Sequence, residues 1–179
     1  IRNDFYPRLE ADFIVTAPAL TKKDWTRGES ISGDPRWRYG SPPKNHPDFA
    51  WIQHVLHHLK PKGSAGVVLT SRSTIVTGRE AKIREELVRA DLVECIIAMP
   101  SQLLTHSDVE TCIWILNKDK SGKQGAGGKV VRHTRSEYQR DRRGELLFVD
   151  ARQMGESLGR QRKTLRGYEI EVIAQTFRA

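Results

Sequence analysis

The chain has 179 residues, a formal net charge of +8 and a mean hydropathy of -0.57. This length suits one domain, or part of a larger one, and is enough to bury a core. No apolar run approaches the roughly 20 residues that span a bilayer, and the first residues lack the pattern of an export signal. The composition argues against a membrane protein, and the basic balance favours polyanionic partners such as nucleic acids.

The first half of the chain predicts a strand, a long loop, a helix and a second strand. Residues 11–16 are an apolar strand that ends at a proline turn, and glycines and prolines punctuate residues 21–48. Asp48 is a suitable N-cap for a helix over residues 49–59. The continuous apolar run of residues 65–69 is typical of a strand that is covered on both faces.

The second half of the chain continues the alternation of helices and strands. Helical spacing predicts a helix over residues 79–90 and a shorter one over residues 170–177. Strands are predicted at residues 92–99, 111–116 and 145–149. This order indicates an α/β protein with half of a doubly wound sheet, which is mostly parallel and has an antiparallel edge.

A basic insert interrupts the predicted domain. We expect residues 1–155 to form one domain and residues 156–179 a basic C-terminal extension with a short helix. The insert, at about residues 118–143, holds nine Lys or Arg against three acids. It is either a solvated loop or a loop that contacts nucleic-acid phosphates, where counterion release drives binding. In the second interpretation its candidate DNA contacts are Lys129, Arg132 and Arg135.

Three aromatic residues lie in the long loop after the first strand: Trp25, Trp37 and Tyr39. Large aromatic side chains in a loop either anchor the loop to the core or stack on a ligand. If these aromatic residues stack on a ligand, Trp37 is the candidate for contact with DNA. Anchoring is the commoner use of such residues.

The cysteines and histidines suggest no metal site. Cys95 and Cys112 lie in separate apolar runs without a Cys-x-x-Cys partner. We expect both thiols to be reduced and buried, as in a cytoplasmic protein. His54, His57 and His58 have the helical spacing of metal ligands, but the sequence shows no third ligand, so no metal is predicted.

Eight segments take on meaning when they are considered together. They are residues 11–15, 33–40 (Gly-Asp-Pro-Arg-Trp-Arg-Tyr-Gly), 49–54, 59–69, 83–84, 91–97, 112–114 and 143–152. Their order and spacing closely resemble the modification subunit of type I restriction-modification systems, which are adenine-N6 DNA methyltransferases. The resemblance covers most of residues 11–155. It implies a Rossmann-like methyltransferase fold of which only the second half is present.

The resemblance assigns a role to the turn after the first strand. In that family the turn reads Asn-Pro-Pro-Phe and holds an adenine that is flipped out of the duplex. Ala17 has no side-chain acceptor for the adenine amino group, Leu20 has no ring to stack on the base, and the hydroxyls of Thr16 and Thr21 are displaced from the Asn position. We therefore expect little or no methyl transfer by this chain alone. The residues at the four family positions are Ala17, Pro18, Ala19 and Leu20.

The resemblance also implies a cofactor and partners. The cofactor is S-adenosylmethionine, the substrate is double-stranded DNA, and a specificity subunit and a restriction subunit complete the system. The family's glycine-rich cofactor loop is absent before Asp12, so no residue is assigned to the cofactor and the chain resembles a fragment. The alternative hypothesis is a non-catalytic, DNA-associated or assembly module that keeps the methyltransferase fold.

Overall fold

The computed structural model describes residues 1–19, 24–104, 109–122, 141–159 and 162–179. Its elements alternate between strands and helices, as the sequence predicts. A short 3-10 helix, Ser71–Thr74, follows the second strand. In chain order the other elements are β1 (Ala11–Thr16), α1 (Asp48–His58), β2 (Leu59–Thr70), α2 (Gly78–Arg89), β3 (Val93–Ala98), β4 (Thr111–Asn117), β5 (Leu147–Asp150), β6 (Glu156–Ser157), β7 (Lys163–Thr164) and α3 (Gly167–Arg178).

Five strands form one mixed sheet in the order β1-β2-β4-β3-β5. β1 is parallel to β2 and β5 is parallel to β3, whereas β4 is antiparallel to both of its neighbours. The prediction of a mostly parallel α/β sheet is confirmed. The antiparallel strand, however, lies inside the sheet rather than at its edge. β4 leaves the carboxyl end of β3 and fills the gap beside β2, where both of its edges are hydrogen-bonded.

The two faces of the sheet carry separate cores. On one face α1 and α2 cover a cluster that includes Val67, Leu69 and Trp114, each fully buried. On the other face α3 packs Ile173 and Phe177 against residues of β3 and β5. The alternation of side chains along each strand assigns neighbouring residues to opposite faces. The predicted C-terminal helix thus packs on the sheet. The domain boundary at residue 155 stays a prediction.

β2 begins earlier than the sequence suggests. The sequence predicts a helix up to residue 59 and a strand from residue 65, yet the chain is extended from Leu59 onward. Gly63 explains the close approach of β1 there, because a Cβ at this position would lie 3.0 Å from the carbonyl oxygen of Ala11 and 3.1 Å from that of Asp12. Both cysteines are free and buried, as predicted.

β1 lies at one edge of the sheet and pairs only with β2. Its outward-facing side chains, Phe13 and Val15, are 58% and 88% exposed. An exposed apolar edge strand is a template for further strand pairing. Among the described residues, no helix combines the length and the apolar character needed to cross a membrane.

Candidate functional site

The turn after β1 leaves the sheet at its carboxyl end. β1, β2, β3 and β5 all point the same way, so their last residues lie along one end of the sheet. Ligands of open α/β sheets bind at this end. Ala17 and Ala19 are exposed there and Pro18 is partly buried. The methyl group of Ala17 offers no hydrogen bond, and Leu20 lies outside the described residues.

The loop after this turn is fixed to α1 by specific contacts. The indole of Trp25 donates a hydrogen bond to the carbonyl of Pro43 (2.9 Å). The amide of Gln53 donates to the carbonyl of Gly40 (2.8 Å), and its oxygen accepts from the backbone N–H of Tyr39 (2.9 Å). The described part of this loop is thus held at several points, two of them on Gln53 of α1.

Trp37 is part of this anchor. Its ring is 9% exposed and meets Trp25 edge to face, with 5.8 Å between the ring centroids. The guanidinium of Arg36 lies 4.6 Å from the ring centroid. The predicted DNA contact at Trp37 therefore has no exposed ring face to offer, and the anchoring interpretation describes its position. Among the described residues the indole N–H of Trp37 has no hydrogen-bond partner.

The structure shows a third potential metal ligand beside two of the histidines, which the sequence did not reveal. Asp4, His54 and His58 place ligand atoms within 4.8 Å of one another. His58 lies 3.1 Å from the Asp4 carboxylate, and its Nδ1 lies 2.8 Å from the carbonyl oxygen of Leu9. Arg36, which can only donate, lies 3.1 Å from Nδ1 of His54. That contact uses the lone pair on Nδ1 of His54 and places the Arg36 guanidinium beside the ring. We call Asp4, Arg36, His54 and His58 the clasp, because their contacts hold residues 1–10 against α1.

Burial and neighbouring charges shift the pKa of His54 in this clasp. Burial, His58 and Arg36 lower the pKa of His54 to about 4. The Arg36 guanidinium also donates to the carbonyls of Ile1 (2.7 Å) and Arg2 (2.9 Å). A neutral His54 is therefore part of the contact that holds the first residues on α1.

The described cations of the basic insert are engaged within the protein. Lys118 donates to the carbonyl of Leu59, and Lys120 donates to the carbonyls of Val93 (3.2 Å) and Glu145 (2.6 Å). The remaining described cations, Arg142 and Arg143, pair with Glu94 and Asp141. These groups lie at the amino end of the sheet, opposite the turn after β1. The candidate DNA contacts Lys129, Arg132 and Arg135 lie outside the described residues.

A cavity of about 930 Å³ opens at the carboxyl end of the sheet. It is bounded by the ends of β2, β3 and β5 and by the start of α1. Asp48, predicted as an N-cap, is instead the first residue of α1, and its Oδ2 accepts a hydrogen bond from the Thr70 hydroxyl (2.9 Å). Burial raises the pKa of the Asp48 carboxyl. The sequence contained no local signal for this cavity because its walls come from segments distant in the chain.

The segment before β1 does not provide a cofactor cradle. Residues 1–10 contain no glycine, and they are held against α1 through Arg36 and His58. A glycine-rich turn that leads from a strand into a helix is the usual cradle in this type of sheet. The residues present before β1 therefore do not fit S-adenosylmethionine.

Comparison with known proteins agrees with this arrangement. A methyltransferase subunit of a type I restriction-modification system from Streptococcus thermophilus superposes with a TM-score of 0.78, at 20% identity, over 96% of this chain and 32% of that one. The fold is thus that of a methyltransferase. The N-6 DNA Methylase family model matches residues 2–179. The chain belongs to the N-6 DNA methylase family.

Sequence relatives agree with the family. The HindI methylase subunit, a type I restriction enzyme subunit of Haemophilus influenzae, is 38% identical over 169 residues, which are 94% of this chain and 33% of that protein. The MjaIX methylase subunit of Methanocaldococcus jannaschii is 25% identical over 98% of this chain and 29% of its own length. The chain spans about one third of the length of these relatives.

Proposed function

We propose that this chain is the adenine-pocket portion of a type I modification subunit, an enzyme that methylates adenine N6 in double-stranded DNA. The observation that carries the proposal is the exposed turn of residues 17–19, which leaves β1 at the carboxyl end of a methyltransferase sheet. The family match over residues 2–179 supports it. We place such an enzyme in the cytoplasm, with its DNA substrate.

The chain's own residues lack the side chains that hold the adenine. Ala17 stands where an amide oxygen would accept from the adenine amino group, and Leu20 stands where an aromatic ring would stack on the base. Loss of a hydrogen bond costs on the order of 1 kcal/mol, and stacking on a base is worth about 1–3 kcal/mol. Because about 1.4 kcal/mol is a factor of ten in rate, we expect methyl transfer to be slower by about a hundredfold or more.

We further propose S-adenosylmethionine as the methyl donor, and a specificity subunit and a restriction subunit as partners. The donor supplies the methyl group when it is bound. Residues 1–10 provide no glycine-rich cradle for it, so no residue of this segment is assigned to the donor.

A methyl-transfer assay tests this proposal. The complete polypeptide that carries this sequence, with its specificity subunit, is compared with the variant Ala17→Asn/Leu20→Phe, using tritiated cofactor and duplex DNA. We expect the double variant to transfer methyl groups about a hundredfold faster or more, because it regains both the acceptor and the ring. Equal turnover by the two proteins would contradict the proposal.

The second candidate function is a non-catalytic module that binds DNA or assembles with other subunits. The side chain of Ala17, which offers no hydrogen bond, favours it. This alternative predicts salt-sensitive duplex binding without cofactor binding, and no methyl transfer even in the double variant. Duplex binding that is absent at low salt would count against it.

A further inference from the structure

One tryptophan closes the base of the loop between β1 and α1. The indole N–H of Trp25 donates to the carbonyl of Pro43 (2.9 Å), and its backbone N–H donates to the carbonyl of Lys44 (3.3 Å). Trp25 is 2% exposed, so water does not compete with its indole bond. The side-chain bond spans 18 residues and therefore brings the two ends of the described loop together.

The carbonyl of Pro43 connects Trp25 to the edge of the cavity at the carboxyl end of the sheet. The same oxygen accepts a second hydrogen bond, from the backbone N–H of His46 (3.4 Å), and a carbonyl oxygen has two lone pairs for this purpose. Asn45 and His46 are exposed and line the cavity. We call these two residues the rim. Trp25 thus holds the oxygen around which the chain turns into the rim.

A second anchor holds the tip of the loop, away from the cavity. The buried side chain of Gln53 accepts from the backbone N–H of Tyr39 and donates to the carbonyl of Gly40. Among the described residues that line the cavity, neither Tyr39 nor Gly40 occurs. Loss of this anchor leaves two backbone groups unpaired, so it should cost more stability than loss of the single indole bond.

Trp37 provides an internal reference for Trp25. The two rings meet edge to face in one apolar cluster, with 5.8 Å between their centroids. Trp37 is 9% exposed, and among the described residues its indole N–H has no hydrogen-bond partner. Replacement of either tryptophan with Phe reduces the same kind of buried ring. Only Trp25→Phe also breaks a hydrogen bond.

We propose that Trp25 is a positioning residue for methyl transfer, which acts through the Pro43 carbonyl to hold the rim in place. The proposal rests on the proposed function, because it takes the carboxyl end of the sheet as the end that receives DNA. A misplacement of about 1 Å in an active site can cost about a hundredfold in rate. A loosened rim still meets the DNA but occupies more positions, so the loss should appear in kcat rather than in KM.

Amide hydrogen exchange tests the contact itself, without reference to catalysis. In the complete polypeptide that carries this sequence, Trp25→Phe should speed exchange of the His46 amide about threefold or more, because the Pro43 carbonyl is no longer held. Trp37→Phe is the matched control and should change this rate less than twofold. Equal exchange rates at His46 in the two variants would overturn the proposal.

A second variant at position 25 removes the indole N–H alone. Incorporation of benzothienylalanine in place of Trp25 exchanges the N–H for sulfur and keeps the size and shape of the ring. We expect it to speed exchange at His46 as Trp25→Phe does, and this result is independent of any folding defect caused by the smaller ring. Unchanged exchange at His46 in this variant would show that the hydrogen bond does not hold the rim.

Methyl-transfer kinetics test the consequence for the reaction. The background is the Ala17→Asn/Leu20→Phe protein with its specificity subunit, well below the lowest melting temperature of the series. We expect Trp25→Phe to lower kcat about tenfold and to change KM for duplex DNA less than threefold. Gln53→Met should lower the melting temperature more than Trp25→Phe does, yet change kcat less than twofold. A kcat that falls in the same order as the melting temperature would reduce Trp25 to a structural role.

The two assays separate this proposal from the proposed function. If the background protein transfers no methyl group, the proposed function fails, while exchange at His46 still decides whether Trp25 holds the rim. If the background protein is active and Trp25→Phe keeps its kcat, the proposed function stands and the positioning role of Trp25 is wrong.

Discussion

The two ends of the sheet differ in how open they are. At the amino end the charged side chains of Lys118, Lys120 and Arg142 all bond to carbonyls or carboxylates of the protein. At the carboxyl end a cavity of about 930 Å³ opens beside Asp48, and the turn after β1 is exposed. The amino end is thus closed by internal bonds and the carboxyl end offers a surface for binding, although the densest run of positive charge in the sequence joins the sheet at the amino end.

The largest expected effect follows from removing a bonded charge at the amino end. Lys120 is 4% exposed and satisfies the carbonyls of Val93 and Glu145 beside Asp91. Lys120→Met should lower the free energy of unfolding by about 3 kcal/mol, because it removes the buried ion pair with Asp91 and the hydrogen bonds to the two carbonyls. Urea unfolding measures this. The exposed Lys62 is the control, and Lys62→Met should cost less than about 0.5 kcal/mol; equal losses would contradict the comparison.

The clasp on α1 predicts a pH dependence of stability. The pKa of His54 is lowered to about 4 in the folded chain, whereas it is about 6.5 when unfolded. As the pH falls, His54 therefore takes up a proton in the unfolded chain first. Its contribution to the free energy of unfolding is constant above about pH 6.5 and decreases between about pH 6.5 and 4. We expect a loss of about 1–2 kcal/mol, because the ring is partly solvated.

Thermal unfolding across this pH range checks the prediction for the clasp. His54→Gln should flatten the decrease, since the amide does not titrate. The exposed His46 at the carboxyl end provides the control, and His46→Gln should leave the profile unchanged. An unchanged slope in His54→Gln would show that other groups cause the pH dependence.

Excision of the insert tests whether the amino end of the sheet also binds DNA. The backbone N–H of Arg142 donates to the carbonyl of Lys120 (2.9 Å), so the two ends of the insert are adjacent. Replacing residues 123–140 with two glycines should change the free energy of unfolding by less than about 1 kcal/mol. If DNA binds at the carboxyl end, the slope of log affinity against log salt should change by less than about 1. A decrease of about 4 in the magnitude of this slope would place the phosphate contacts in the insert.

The smallest effect is a gain in stability at the carboxyl end. Burial raises the pKa of Asp48, so the folded chain holds the proton of this carboxyl more tightly than the unfolded chain does. The contribution of Asp48 is present at acid pH and is lost as the pH rises from about 3.8 through its raised folded value. Asp48→Asn should therefore raise the melting temperature at pH 7 but not at pH 3. A lower melting temperature at pH 7 would contradict this description of the wall.

The sequence predicted local elements well and long-range contacts poorly. Apolar runs marked β1, β3 and β4 within two residues, because strand character is a local property. The internal position of β4 was missed because strand order depends on pairing between distant segments. Asp48 was predicted as a cap, yet its partner Thr70 is 22 residues away. The contact of Asp4 with His58, and the burial of Trp37, are non-local in the same way.

Amide hydrogen exchange with and without adenine-containing duplex tests the contrast between the two ends most directly. We expect DNA to slow exchange in the turn at residues 17–19 and around the cavity, at residues 45–46 and 148–152. Residues 118–120 and 142–145, at the amino end, should exchange at the same rate in both samples. Protection confined to the amino end would contradict the claim that the carboxyl end of the sheet receives the DNA.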